Sequence, residues 1–379
     1  MNYLALKDVC CINMGQSPDS KSYNEAKEGI PFFQGNADFG ERYPITRVWC
    51  NAPTKIAQKD DILISVRAPI GALNYAKETC CIGRGLAAIT PNKTKVSTEF
   101  IFWLLKGKNN ELNSLGTGST FKAISKKVLE ETKVPDISLE KQTAYSNILE
   151  KLYFIITHRR TQLEKLDLLV KARFVEMFGD PVENYFKWGT KKLKEIVTGD
   201  CTISYGIVQT GDEQKEGVPV FRPVDIVNNI PQLSDLKKTT FEISNKYKKT
   251  ILKGREMLIT VRANIADTYI VGKEFKGCNV GRGIVPIRTN EDAIILEFLK
   301  YQIDNKHLND NIKKMAKGIT LIQLNMEDLR EITLIIPPIE LQEKFVTFTK
   351  QVDKSKVAVQ KELDKAQMLF DSLMQEYFG

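Results

Sequence analysis

Four arginines are placed to do chemistry at a ligand. Arg84 lies between Gly83 and Gly85, and Arg282 between Gly281 and Gly283. Arg67 and Arg262 each close a short apolar run, Ile64-Ser65-Val66 and Ile259-Thr260-Val261. A guanidinium fork engages two acceptors at once, phosphate oxygens or the edge of a guanine, and flanking glycines let a backbone come close to a ligand. The plainer reading is an arginine paired to an internal carboxylate that orders its own loop. Because each arginine occurs twice, contact with a repeating nucleic-acid backbone, or an architectural role, is favoured over reading of bases.

Reading of bases should fall to residues that differ between the copies. In the first copy these are Arg42, Tyr43 and Arg47; in the second they are Tyr205, Gln209, Lys246, Lys248 and Lys249. Solvated surface charge is the alternative for all of them. Two Gly-containing loops add hydroxyls, amides and a lysine each, and suit phosphate contact. One runs from Gly116 to Lys122 with Ser119 and Thr120; the other spans Lys317 to Thr320.

The elements that position these residues are themselves repeated. Leu6-Lys7-Asp8-Val9 returns as Leu193-Lys194-Glu195-Ile196, and Gly29-Ile30-Pro31-Phe32-Phe33 as Gly217-Val218-Pro219-Val220-Phe221. Gly118-Ser119-Thr120 returns as Gly318-Ile319-Thr320, and Val134-Pro135-Asp136-Ile137 as Ile336-Pro337-Pro338-Ile339. The stretches between landmarks differ, notably Asn36 to Pro53 against Val224 to Asn245. A shared scaffold carries two divergent surfaces. Asp60 to Arg67 reads as a strand, Cys80 to Ile89 as a strand broken at Arg84, and Thr98 to Lys106 as a helix capped by Thr98.

Each copy ends in a long apolar periodicity of threes and fours, which places side chains on one helix face. The packing positions are Ile148, Leu152, Ile155, Leu163, Leu166 and Val170, then Phe348, Val352, Val359, Leu363 and Phe370. Helices of that length need a long partner, so the two are expected to form an antiparallel coiled coil with a pseudo-twofold axis. The chain divides into a first domain (1–140), a central helix and joint (141–182), a second domain (183–338) and a C-terminal helix (339–379). The expected fold class is α/β (α+β), with the two globular units at opposite ends of a helical spacer.

The 379 residues, 42% hydrophobic and 27% charged, are those of a folded globular protein with more than one core. The net charge of +8 permits a nucleic-acid partner without requiring one. No apolar run approaches the roughly eighteen residues of a membrane span, and the N-terminus has no signal-peptide pattern. Seven cysteines without a Cys-x-x-Cys pair, and two histidines, offer no zinc-ligand spacing; reduced thiols in a cytoplasmic protein are expected. Neither a phosphate-binding Gly-x-x-x-x-Gly-Lys-Ser/Thr loop, an Asn-Pro-Pro-aromatic motif nor a Gly-x-Ser-x-Gly elbow is present.

Taken together these residues resemble the specificity subunit of type I restriction–modification systems. The resemblance covers essentially the whole chain. It rests on Gly29 to Phe33 with Asn36 and Asp38, Val66-Arg67, Gly83-Arg84-Gly85, Gly118-Ser119-Thr120, Pro135/Ile137/Leu139, Pro337/Ile339/Leu341 and Phe178-Gly179-Asp180-Pro181. It implies two target-recognition domains joined by an antiparallel coiled coil, each domain reading one half of a bipartite double-stranded DNA target. It further implies no catalysis by this chain, no cofactor of its own, and docking to two modification (methyltransferase) subunits and to motor-nuclease subunits. S-adenosylmethionine, ATP and magnesium would sit on those partners. The second copy reads Arg222-Pro223-Val224-Asp225 and lacks a counterpart of Asn36. The rival reading is a coiled-coil scaffold with two protein-binding heads.

Overall fold

A computed structural model describes residues 2–118, 122–226, 231–318 and 322–379. Two compact units emerge: residues 1–161 with 360–379, and residues 162–359. Two 40-residue helices, the central one (Leu139–Phe178) and the C-terminal one (Ile339–Phe378), each contribute one half to each unit. At 1.5 Å per residue each helix runs about 60 Å.

In the first unit, strand Ile62–Ser65 lies between Leu86–Pro91 and Leu73–Tyr75, with Cys10–Met14 beyond, all antiparallel. A second sheet is built on Ile30–Phe33, which pairs parallel with Cys80–Ile82 and antiparallel with Val48–Cys50. The second unit repeats both centres. Met257–Thr260 sits between Thr268–Ile270 and Ile284–Ile287, and Val218–Phe221 pairs parallel with Asn279–Val280. Parallel pairing of short strands on one sheet fixes where the following loops emerge, and those loops carry the candidate site.

The expected helix after the sheets spans Thr98–Gly107, but Ser97 is its cap, the hydroxyl accepting from the Phe100 N–H at 3.1 Å. Phe100, Phe102, Trp103 and Leu104 are all buried, so this helix is covered all round rather than on one face. Trp103 explains why: its ring meets Tyr153 of the central helix at 5.6 Å and Phe370 of the C-terminal helix at 5.7 Å. In the second unit an aromatic cluster does the same work. Phe298, Phe174, Phe178 and Phe345 meet at ring separations between 4.8 and 6.4 Å.

Within each unit the helix halves run antiparallel. In the first, Tyr145 stacks on Tyr377 at 3.7 Å and Arg160 donates to Gln367 at 3.1 Å. In the second, Lys356 pairs with Asp167 at 2.5 Å and Phe174 meets Phe345 at 5.5 Å. Leu152, Val170, Val352, Val359, Leu363 and Phe370 are buried, and Leu163, Leu166 and Phe348 are half-buried. Ile148 and Ile155 are corrected: each is 42% exposed, while Leu149 and Ile156 are buried. One residue is about 100° of helix rotation. The rotation follows from a second demand on this helix half, which must also face Trp103 through Tyr153.

Each long helix is bolted to its head by a buried glutamine. Gln142 accepts from the Ser97 N–H (2.9 Å) and donates to the Ile137 carbonyl (2.9 Å). Gln342 accepts from the Ile295 N–H (3.0 Å) and donates to the Pro337 carbonyl (2.8 Å). Both are at most 1% exposed. Gln142→Leu or Gln342→Leu therefore removes the partner of a part-buried N–H and of a carbonyl, and should destabilise the protein by about 1–3 kcal/mol. Val357→Ser, at a 70% exposed helix position, should stay within about 0.5 kcal/mol of the parent. Denaturant melts of the variants check both; equal stability of all three would refute the bolt.

Candidate nucleic-acid interface

In each unit the loops leaving the strands lie side by side, joined by backbone hydrogen bonds into one rank. In the first unit Gly83 N–H donates to Phe33 O (2.8 Å), Val66 N–H to Gly85 O (2.9 Å), and Ile124 N–H to Val66 O (2.9 Å). Ala68 N–H donates to Lys122 O (3.0 Å), and Thr117 and Ala123 exchange two bonds of 2.9 Å. The second unit repeats the pattern. Gly281 N–H donates to Phe221 O (2.8 Å), Val261 N–H to Gly283 O (2.8 Å) and Leu324 N–H to Val261 O (2.9 Å), while Lys317 and Gln323 exchange two bonds of 2.9 Å.

This rank brings Arg84, Arg67 and Lys122 onto successive neighbouring segments, and likewise Arg282, Arg262 and Lys317. All but Arg262 are exposed. The glycines beside Arg84 serve a different end from the one their sequence suggests. A Cβ on Gly83 would lie 2.6 Å from Gln34 Oε1, and one on Gly85 would lie 2.5 Å from the Gln34 carbonyl. On Gly283 it would lie 2.5 Å from Pro223. The glycines thus allow protein to approach protein, which holds the rank together. Asp38 and Asp225 finish the neighbouring turns, accepting from the Gln34 N–H (2.8 Å) and the Arg222 N–H (2.7 Å) respectively. Asp225 also pairs with the Arg222 guanidinium at 2.6 Å. The turn therefore survives without a counterpart of Asn36.

Arg42 is not available to read bases. Its guanidinium pairs with Glu150 of the central helix and lies 5.1 Å from the Phe102 and Tyr153 rings and 5.5 Å from Trp103. An arginine enclosed by rings and matched to a carboxylate is a structural cation. Lys106 shares the enclosure, 4.3 Å from the Tyr153 ring. Burial, then repulsion from Arg42, pulls its ammonium down to about 8, against partial support from Glu150.

The remaining candidates are placed as follows. Tyr43 is 49% exposed; Arg47 is exposed and donates to the Ala37 carbonyl at 2.8 Å. Gln209, Lys248 and Lys249 are exposed, and Lys246 pairs with Glu242 at 2.9 Å on its own helix turn. Ser119, Thr120 and Thr320 lie outside the described residues. Arg262 is half-buried because its Nε donates to Gln323 Oε1 at 2.7 Å, and Gln323 in turn donates to the Tyr205 hydroxyl. Sequence reasoning named Arg262 and Tyr205 separately and missed Gln323, for which the one available signal is that Ala123 occupies the matching place. Among the described residues no grouping of His, Cys, Asp and Glu could hold a metal ion, and no helix is long and apolar enough to cross a membrane.

The family model described as type I restriction modification DNA specificity domain matches the chain twice, at residues 1–166 and 186–366. The chain belongs to that family. It is 21% identical over 401 residues to the type I restriction enzyme EcoBI specificity subunit of Escherichia coli, covering 98% of this chain and 83% of that one. It is 46% identical over 156 residues to the putative MjaX specificity subunit of Methanocaldococcus jannaschii, a match spanning 41% of this chain and 37% of that relative. The fold is similar to the type I S subunit from M. genitalium (TM-score 0.59, 15% identity, 100% and 96% coverage). It is also similar to a chain from a type I restriction–modification assembly (TM-score 0.62, 18% identity, 100% and 97% coverage). The two family matches fall on the two copies of the rank.

The enclosure of Lys106 gives a signed test. Folding lowers its proton affinity, so between pH about 8 and the ordinary lysine value of 10.5 the unfolded chain binds more protons. Below pH 8 the cost of the buried charge is full, and it vanishes as pH rises through that window. Lys106→Met should therefore melt higher than the parent at pH 7, with the gap narrowing by pH 10. A variant melting lower at pH 7 would contradict the reading.

Proposed function

We propose that this chain gives a type I restriction–modification complex its DNA-sequence specificity, with each unit reading one half of a bipartite duplex target. The observation that carries this reading is one backbone rank built twice, bearing arginines at matching places and different side chains between them. Matching cations on a common frame suit phosphates, which are alike at every site, and differing side chains suit base edges. In the second unit these are Tyr205, Gln209, Lys248 and Lys249; in the first, Tyr43 and Arg47, with Arg42 holding the head to its helix. The loops holding Lys122 and Lys317 suit phosphate contact.

The long helices fix the separation of the half-sites and offer their charged outer faces, including Lys165 and Lys171, to two modification subunits. Motor-nuclease subunits complete the restricting form. The chain itself performs no catalysis and holds no cofactor; S-adenosylmethionine, ATP and magnesium act on the partner subunits. The complex works in the prokaryotic cytoplasm.

Methylation mapping in cells carrying this chain with its modification subunit tests the proposal. The expected result is a two-part methylated motif that disappears when this chain is deleted. DNA affinity of the complex should also fall steeply with salt, because phosphate contacts release counterions. A methylation pattern indifferent to the chain would leave the scaffold with two protein-binding heads as the better account.

A further inference from the structure

The second unit's rank contains a polar cluster that the first unit lacks. Arg262 gives two N–H groups to Gln323 Oε1, and the Gln323 amide donates to the Tyr205 hydroxyl. The orientation of this glutamine is forced: a guanidinium can only donate, so the amide oxygen must face Arg262 and the nitrogen must face Tyr205. All three side chains are half-buried, so none is a freely waving surface group.

The first unit's counterparts are Met14, Ala123 and Arg67. Gln16 N–H bonds Ile82 O as Ile207 N–H bonds Val280 O, which matches Tyr205 to Met14. Arg67 pairs backbone to backbone with Ala123 as Arg262 does with Gln323. Alanine offers no side-chain acceptor, and among the described residues the Arg67 guanidinium has no hydrogen-bond or ion-pair partner. The cluster is thus built on divergent residues around a shared arginine.

Hydrogen-bond accounting shows what the cluster can accept. Both lone pairs of Gln323 Oε1 are taken by Arg262. What remains is three guanidinium N–H groups, one amide N–H and the phenol O–H, with one phenol lone pair as the sole acceptor left in these side chains. A free glutamine could read adenine through a donor and an acceptor together; this one has spent its acceptor. We propose that Tyr205, Gln323 and Arg262 form a single DNA-contacting cluster that takes an acceptor-only edge, supplied by a guanine O6/N7 pair or by a phosphate. Gln323 is the positioning residue, because it alone holds both of the others. The inference rests on the second unit reading DNA, as proposed above.

The test is methylation mapping with rates for the intact complex carrying Gln323→Leu, alongside Tyr205→Phe. If guanine is the source, Gln323→Leu relaxes one guanine position in one half of the motif by roughly five- to a hundredfold and leaves the other half unchanged. If phosphate is the source, methylation slows at all sites alike and the salt dependence of DNA binding becomes shallower. Parent rates and parent motif, or relaxation at an adenine position, would overturn the proposal. Should Gln323→Leu lose all methylation and melt early, Tyr205→Phe decides. It keeps the Arg262–Gln323 pair and should weaken the same discrimination to a smaller degree; an unchanged Tyr205→Phe complex would also overturn the proposal. A parent complex with no bipartite motif would instead refute the DNA-reading function itself.

Discussion

The constraint on which the rest depends is the buried glutamine at the start of each long helix. A 40-residue helix with one apolar face holds a defined place only if its rotation and its attachment to a head are fixed. Gln142 and Gln342 fix both, because an amide can satisfy an N–H and a carbonyl together only in one orientation. The same helix half, rotated to bury Leu149 and Ile156, seats Trp103 on Tyr153 and helps to enclose Arg42.

The loop rank obeys a second economy. Its frame is main chain bonded to main chain, held close by glycines, so side chains are free to change without disturbing it. That separation lets two copies keep one architecture while their faces drift apart. Arg67 is left with its fork exposed, and Arg262 is drawn into a cluster by one added glutamine.

Most of the architecture was legible because it is written twice: six matched landmarks and two apolar periodicities leave little freedom. What sequence reading missed has physical causes. Ile148 and Ile155 satisfy the helical spacing, yet they lost to Leu149 and Ile156 because this helix half serves two neighbours, and periodicity registers one face at a time. Arg42 looked like a surface reader because its partner, Glu150, is 108 residues away and its enclosing rings come from two separate helices. The glycines around Arg84 were read toward a ligand, whereas their neighbour is Gln34 of the parallel strand's end. Gln142 and Gln342 stood in plain view at matching places, but a polar residue in a helix's first turn gives no outward sign of burial.

Two independent reading surfaces on one shared frame should be exchangeable one at a time. Exchanging residues 1–140 for the corresponding segment of another specificity chain, and mapping methylation by the resulting complex, tests it most directly. One half of the target motif should change while the other half, and the gap between them, stay as they were. A change in both halves, or in neither, would contradict it.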